Sequence, residues 1–246
     1  MASDVIIYDI FSGMKIEMSI KPITACTFYI PISGYFPFTC ECVENIHSLD
    51  SDIYALGVGY ASKDKKDHIL DIQIGVSGSV NINETFIEGL VRELAEETAL
   101  DISTAQSLLH VDTYFLYDKT WHNFWCTLSP KSSLTSIQDY RKNSTRTKRG
   151  ASVLVTGKLE WFTRLYDDII HSEHYASLKN NMDNVRFIAL FNGDVLRKIK
   201  FKNRSINWNS RHNLCLFVTY VNGIPIDQFN GRFLGLDWHS PLVKLL

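Results

Sequence analysis

The chain has 246 residues, 45% of them hydrophobic and 21% charged, with a formal net charge of −2. These proportions are ordinary for a globular protein, and a charge so near zero names no partner by itself. The opening stretch carries Asp4 and Asp9 without a basic segment and long apolar core, and no apolar run approaches about 20 residues, so neither a secretory signal nor a membrane span is expected.

Residues 1–22 read as a short strand pair, Val5 to Ile10 and Met14 to Ile20, joined at Ser12-Gly13. Thr24 to Ile32 is rich in β-branched and aromatic residues and reads as a strand, as does Tyr35 to Cys42. The five cysteines are Cys26, Cys40, Cys42, Cys126 and Cys215. An odd number without a signal peptide points to reduced thiols in a cytoplasmic or nuclear compartment. Cys40-Glu41-Cys42 near His47 has an unusual spacing and no evident fourth ligand, so free or buried thiols are expected there rather than zinc. Ile53 to Ala61 reads as a strand, Lys63 to Asp67 as a charged turn, and His68 to Val76 as a segment leading into a loop at Gly75, Ser77 and Gly78.

A helix is predicted over Glu84 to Glu97, which lacks proline and is rich in good helix formers, Gly89 excepted. Phe86, Leu90 and Leu94, with Ile87 and Val91, recur at helical spacing and form an apolar stripe expected to lie away from the acids. Glu93, Glu96 and Glu97 stand at i, i+3 and i+4, so a helix puts three carboxylates on one face. Side by side they repel one another unless a cation sits among them. Acids on a helix are commonly a solvated face paired with basic residues, but within this turn only Arg92 is at hand. A hard divalent ion, Mg²⁺ or Mn²⁺, is the natural occupant.

Further along, Ser107 to Tyr117 and Trp121 to Leu128 read as two strands around Asp118-Lys119. They are crowded with rings, of which about half belong to core and sheet surface and one or two, Tyr117 and Trp121 first, are candidates to stack on a nucleobase. Residues 131–150 read as a long polar loop in which Lys131, Arg141, Lys142, Arg146, Lys148 and Arg149 stand against Asp139 alone. A second basic run holds Arg197, Lys198, Lys200, Lys202, Arg204 and Arg211 against Asp194. Each run is either solvated surface or a path for a phosphate backbone. Ala151 to Thr156 reads as a strand, Leu159 to Leu178 as a helix, Val185 to Phe191 as a strand and Gly193 to Lys200 as a helix. Asn213 to Ile226 reads as a hairpin turning at Asn222-Gly223. The aromatic tail beyond it could be an added sheet edge, a substrate wall or the contact of a homodimer.

Gly78, five residues, Glu84, seven residues, then Arg92-Glu93-Leu94-Ala95-Glu96-Glu97-Thr98-Ala99-Leu100 resembles the signature of the Nudix hydrolases, G-x5-E-x7-R-E-U-x-E-E-x-G-U with U a bulky aliphatic. Six fixed identities and two aliphatic positions are in register, and one position departs, Ala99 standing where the family has glycine. In the family that glycine closes the helix with positive φ, so Ala99 is expected to carry about 1 kcal/mol of strain without touching a metal ligand. The box covers about a tenth of the chain.

The resemblance implies an α/β fold with a Nudix-type mixed β-sheet sandwiched between helices and additional N- and C-terminal elements. It implies one domain over 1–246, with a core at about 20–200 and a C-terminal extension at about 201–246. It further implies a hydrolase that uses Mg²⁺ or Mn²⁺ to cleave a nucleoside diphosphate linked to another moiety. Glu96 and Glu97 would hold metal, and Glu93 would be a ligand or the general base. Glu84 would support the cluster, Arg92 would orient the glutamates, and a carbonyl near Gly78 would complete the metal shell. Tyr117 lies seventeen residues past Leu100, where some dinucleoside-polyphosphate hydrolases of the family carry a tyrosine. Glu160 or Glu173 is a candidate for the late acid that many members use, although each reads first as a solvent-facing helix residue. The extra length, basic runs and clustered rings favour a capped or 5′-diphosphorylated RNA end as substrate, as in mRNA decapping. Small nucleotides (dinucleoside polyphosphates, ADP-ribose, nucleoside triphosphates) are the alternative. A non-catalytic nucleotide- or RNA-binding sensor on the same fold is a third reading, disfavoured by the presence of every box acid.

Overall fold

The computed structural model describes residues 3, 5–10, 13–18, 28–32, 50–60, 71–116, 119–135, 145–170, 185–193 and 214–218. Its strands are β1 (Val5–Asp9), β2 (Met14–Met18), β3 (Phe28–Ile32), β4 (Ile53–Tyr60), β5 (Asp71–Ile74), β6 (Val76–Asn81), β7 (Leu100–Asp101), β8 (Ser107–Leu116), β9 (Lys119–Thr127), β10 (Ser133–Leu134), β11 (Arg146–Lys158), β12 (Val185–Asn192) and β13 (Leu214–Val218). The helices are α1 (Phe86–Thr98) and α2 (Leu159–Ile170), with a 3₁₀ turn at Ile102–Thr104. The chain is therefore a strand-rich mixed α/β protein. Among the described residues no helix is long and apolar enough to cross a membrane.

Nine strands form one sheet, ordered β2-β1-β12-β4-β11-β9-β8, with β5 beside β4 and β6 beside β11. All described pairings in it are antiparallel except β9 with β11, which run parallel through Arg149↔Thr120 to Thr156↔Thr127. The sheet opens between β4 and β11. They pair only over Thr156↔Ala55 to Lys158↔Ile53, and beyond that point β5 lies on β4 while β6 lies on β11. The crossing from one neighbour to the other falls at Gly75, whose φ is +79° and whose N–H donates to the Leu56 carbonyl at 2.8 Å. A Cβ there would stand 2.5 Å from the Val153 carbonyl oxygen. Glycine is thus required twice over, by backbone conformation and by space.

Alternation along the strands sorts the core. Ile6, Tyr8, Leu56, Val58, Val153, Val155, Phe124, Ile188 and Leu190 form one cluster with Leu90 and Leu94 of α1 and Phe162, Leu165 and Tyr166 of α2. Both helices therefore pack on the same face. Tyr166 ties them by donating its hydroxyl to the Thr98 carbonyl at 3.1 Å. The other face carries Ile7, Leu154, Phe187 and Phe191, all buried as well. Cys126 is a buried thiol whose pKa burial pushes up to about 12, an inert group at neutral pH.

Several expectations are corrected. Ser77 and Gly78 are in strand β6, opposite Ser152 and Ala151, not in a loop. Ile87 is 43% exposed, so the apolar stripe is narrower than its spacing implied. Residues 146–150 of the expected polar loop belong to β11, which pairs on both sides, and Ser133–Leu134 pairs with Leu100–Asp101. Leu214–Val218 pairs with β3. The expected strand Tyr35 to Cys42, the turn Lys63 to Asp67, Cys40, Cys42 and His47, the helix past Ile170 with Glu173, the second basic run and the tail beyond Val218 lie outside the described residues.

Candidate active site on the acidic helix

α1 begins with a capping box. Thr85 has extended backbone, its side chain accepts from the Glu88 N–H at 3.2 Å, and Glu88 accepts from the Thr85 N–H at 2.8 Å. Hydrogen bonds to the Glu88 carboxyl from the Thr85 N–H and side chain hold it below its ordinary pKa. The T-x-x-E spacing of Thr85 and Glu88 is the sequence signal of this cap. At the other end Ala99 sits in the left-handed region, φ 58° and ψ 11°, with its N–H donating to the Ala95 carbonyl at 3.0 Å. The position where the box departs from glycine is the one that takes positive φ. Thr98 stabilises this exit by donating its hydroxyl to the Leu94 carbonyl at 2.6 Å.

Between these ends the box residues converge on Arg92, whose side chain is only 10% exposed. Its Nε donates to Glu84 Oε1 at 2.8 Å and its Nη2 to Glu84 Oε2 at 3.1 Å, a two-pronged contact. Its Nη1 donates to Glu93 Oε1 at 2.8 Å and to Glu96 Oε2 at 3.1 Å. The Ser79 carbonyl takes a further bond from Nη2 at 2.7 Å. Burial works against charge on both Glu84 and Arg92, but their bonds prevail. The Glu84 carboxyl, also bound by the Asn81 N–H and side chain, is held below its usual pKa, and the Arg92 guanidinium is held firmly protonated. Glu97, one turn of helix past Glu93, is 7% exposed and is not among the partners of Arg92.

Gly78 explains how Glu93 fits. A Cβ on Gly78 would lie 1.8 Å from the Glu93 carboxyl carbon and 2.0 and 2.3 Å from its oxygens. The carboxylate thus rests in the space that only glycine leaves. About one turn earlier, Gly89 brings α1 down on Val80.

Among the described residues no group of three His, Cys, Asp or Glu side chains is arranged to hold a metal ion, and the cation at the centre of this cluster is Arg92. The residues still fit a hard divalent ion in kind and in charge. Glu93 and Glu96 lie side by side on one nitrogen, their donors are carboxylate oxygens, and one guanidinium against Glu84, Glu93 and Glu96 leaves a formal −2.

Of the expected substrate-binding residues, Trp121 and Arg149 have described surroundings, at Gly150 and at the loop before α1. Trp121 is 4% exposed, and its ring covers Gly150, where a Cβ would lie 2.5 Å from Cε3. Burial takes it out of the rings able to stack on a base. Arg149 is committed to the loop before α1. Its Nη2 donates to the carbonyls of Asn81 at 2.8 Å, Glu84 at 2.9 Å and Ile82 at 3.4 Å, and its guanidinium lies 5.4 Å from the Phe86 ring centre. Through these bonds it clamps the Glu84 loop. Lys148 is exposed. Tyr117, Arg141, Lys142 and the side chain of Arg146 lie outside the described residues. Glu160 is exposed in the first turn of α2.

Comparison with known proteins found no matching family model, curated protein or solved structure. The likeness to the Nudix hydrolases rests on the box residues alone.

Proposed function

We propose that the chain is a metal-dependent pyrophosphohydrolase of the Nudix type, acting on a nucleoside diphosphate linked to another moiety. The observation that carries this reading is that Glu84, Glu93 and Glu96 meet at the one buried guanidinium of Arg92, with Gly78 leaving the space in which the Glu93 carboxylate rests. Glu93, Glu96 and Glu97 would hold Mg²⁺ or Mn²⁺. Such an ion, when bound, neutralises pyrophosphate oxygens and acidifies water. The chain's own part is positioning. Arg92 aims Glu93 and Glu96, Glu84 fixes Arg92, and Gly78 lets Glu93 lie flat on the sheet. Glu93 serves either as a ligand or as the base for the attacking water.

For the substrate, a capped or 5′-diphosphorylated RNA end remains the proposal drawn from the basic runs and the chain length. Small nucleotides are the second reading, and one observation favours them. Arg149, the cation of the first run whose contacts are described, spends itself on backbone carbonyls of the box loop. A hydrolysis screen with Mg²⁺ and Mn²⁺ over capped RNA, dinucleoside polyphosphates, ADP-ribose and nucleoside triphosphates, with products identified by mass, decides between them. Release of a nucleoside diphosphate from capped RNA supports decapping. Turnover of small nucleotides alone assigns the second reading, and no metal-dependent turnover of any substrate counts against both.

A further inference from the structure

The acidic box does not account for a second polar cluster on the same face of the sheet. His110 Nε2 and His122 Nδ1 lie 3.2 Å apart. Thr113 Oγ1 closes a triangle with them, 3.1 Å from His110 and 3.4 Å from His122. The strands build it. Thr113 stands opposite His122 in the β8–β9 ladder, and a register shift between His110 and Asp112 brings His110 round to the same point. The Phe86 ring lies on His122 with centres 3.7 Å apart, and the Phe124 ring meets His110 edge-on at 5.3 Å. Both imidazoles are therefore walled by aromatic carbon, while His110 and Thr113 remain exposed and His122 half-buried.

As hydrogen bonds, the 3.1 Å edge between His110 and Thr113 is ordinary, while the 3.2 and 3.4 Å edges stand at and beyond the upper end of the usual range. A hydrogen held between one pair also points away from the third corner. As one face of a coordination sphere the same triangle is well proportioned. Donors about 2.0–2.1 Å from a tetrahedral zinc-class ion are separated by about 3.3–3.4 Å. Imidazole nitrogen is the donor such borderline ions prefer, whereas the carboxylates of the box suit hard ions.

We propose that His110 Nε2, His122 Nδ1 and Thr113 Oγ1 hold a borderline divalent cation of the zinc class, with the fourth position open to water or to an anionic oxygen of a ligand. The site is separate from the acidic cluster but shares its surface. Gly78 stands opposite Ala151, and Ala151 stands beside His122. Two strand spacings therefore place His122 roughly 10 Å from Gly78. The inference does not rest on the hydrolase reading and can hold or fail without it.

Co²⁺ alone, titrated into the full chain in excess Mg²⁺, is the probe, because four-coordinate Co²⁺ with nitrogen ligands gives intense visible bands. Saturable bands are expected in the parent chain and in Glu96→Gln. Affinity should fall about tenfold or more in His110→Ala and in His122→Ala, at least what loss of a partner of a metal ligand costs. His110 is exposed, so His110→Ala should keep the folded circular dichroism spectrum and serves as the decisive variant. Absence of saturable bands in the parent, bands unchanged in His110→Ala, or bands lost in Glu96→Gln would each overturn the assignment.

Discussion

Gly78 and Ala99 show how much a single Cβ decides in this protein. Adding one at Gly78 drives it into the Glu93 carboxylate, which is the end of a flexible side chain and can swing aside. Gly78→Ala is therefore expected to cost little stability but to lower hydrolysis by tenfold or more, because Glu93 leaves its place. A melting temperature within a few degrees of the parent together with full activity would contradict the role given to this contact. At Ala99 two effects oppose each other. Left-handed backbone costs a residue with Cβ about 1–2 kcal/mol, while burying its methyl returns about 0.8 kcal/mol. Since Ala99 is fully buried, Ala99→Gly should change stability by less than about 1 kcal/mol in urea unfolding, and a larger loss would show that packing dominates. Glu84 gives a pH test. Its folded pKa is lowered, so its contribution is present above the ordinary carboxylate pKa and is lost as pH falls through the folded value. The stability gap between the parent and Glu84→Gln should be widest near neutrality and shrink in acid, and a gap that is constant with pH would count against the Arg92 pairing.

At the scale of elements, what could be read from the sequence depended on whether the information was local. The β1–β2 pair, the β8–β9 pair and α1 were legible because alternation, turn residues and helical spacing lie within each segment. The spacing of the box acids likewise placed Glu93 and Glu96 together. What stayed hidden was set by partners far along the chain. Nothing near Ser77 and Gly78 announces a strand, because their partners are Ser152 and Ala151. Arg149 reads as one more cation in a polar run, and its work on the Glu84 loop follows from a ladder to residues nearly seventy positions earlier. The pairing of His110 with His122 depends on a register shift that no pattern marks. Gly75, in a segment whose sequence reads as loop, is the hinge at which the chain leaves β4 for β11. Gly75→Ala meets both a positive φ and the Val153 carbonyl, so a loss of about 3 kcal/mol or more is expected in chemical denaturation. A loss under about 1 kcal/mol would mean the sheet can open elsewhere.

Across the whole molecule, the split in the sheet serves the acidic helix. β6 enters beside β11, its last residues turn at Asn81 and Glu84 under the Arg149 clamp, and α1 returns over the strand it has just left. Core packing of Leu90 and Leu94 holds the helix down, and Tyr166 of α2 fixes its far end. The carboxylates are thereby held against a sheet rather than in bulk water, where an electrostatic role for them gains strength. Whether that arrangement does chemistry is tested most directly by one comparison of rates. Initial rates of phosphoanhydride hydrolysis should be measured with saturating Mg²⁺ or Mn²⁺ for the parent chain, Glu96→Gln and Glu97→Gln on the best substrate from the screen. Both substitutions remove a charge and almost no volume. The parent should turn over only with metal, and each variant should remain folded and fall by about a hundredfold or more. Parent-like rates in both variants, or turnover by the parent that chelation of the metal leaves unchanged, would contradict the assignment of these acids to a metal centre.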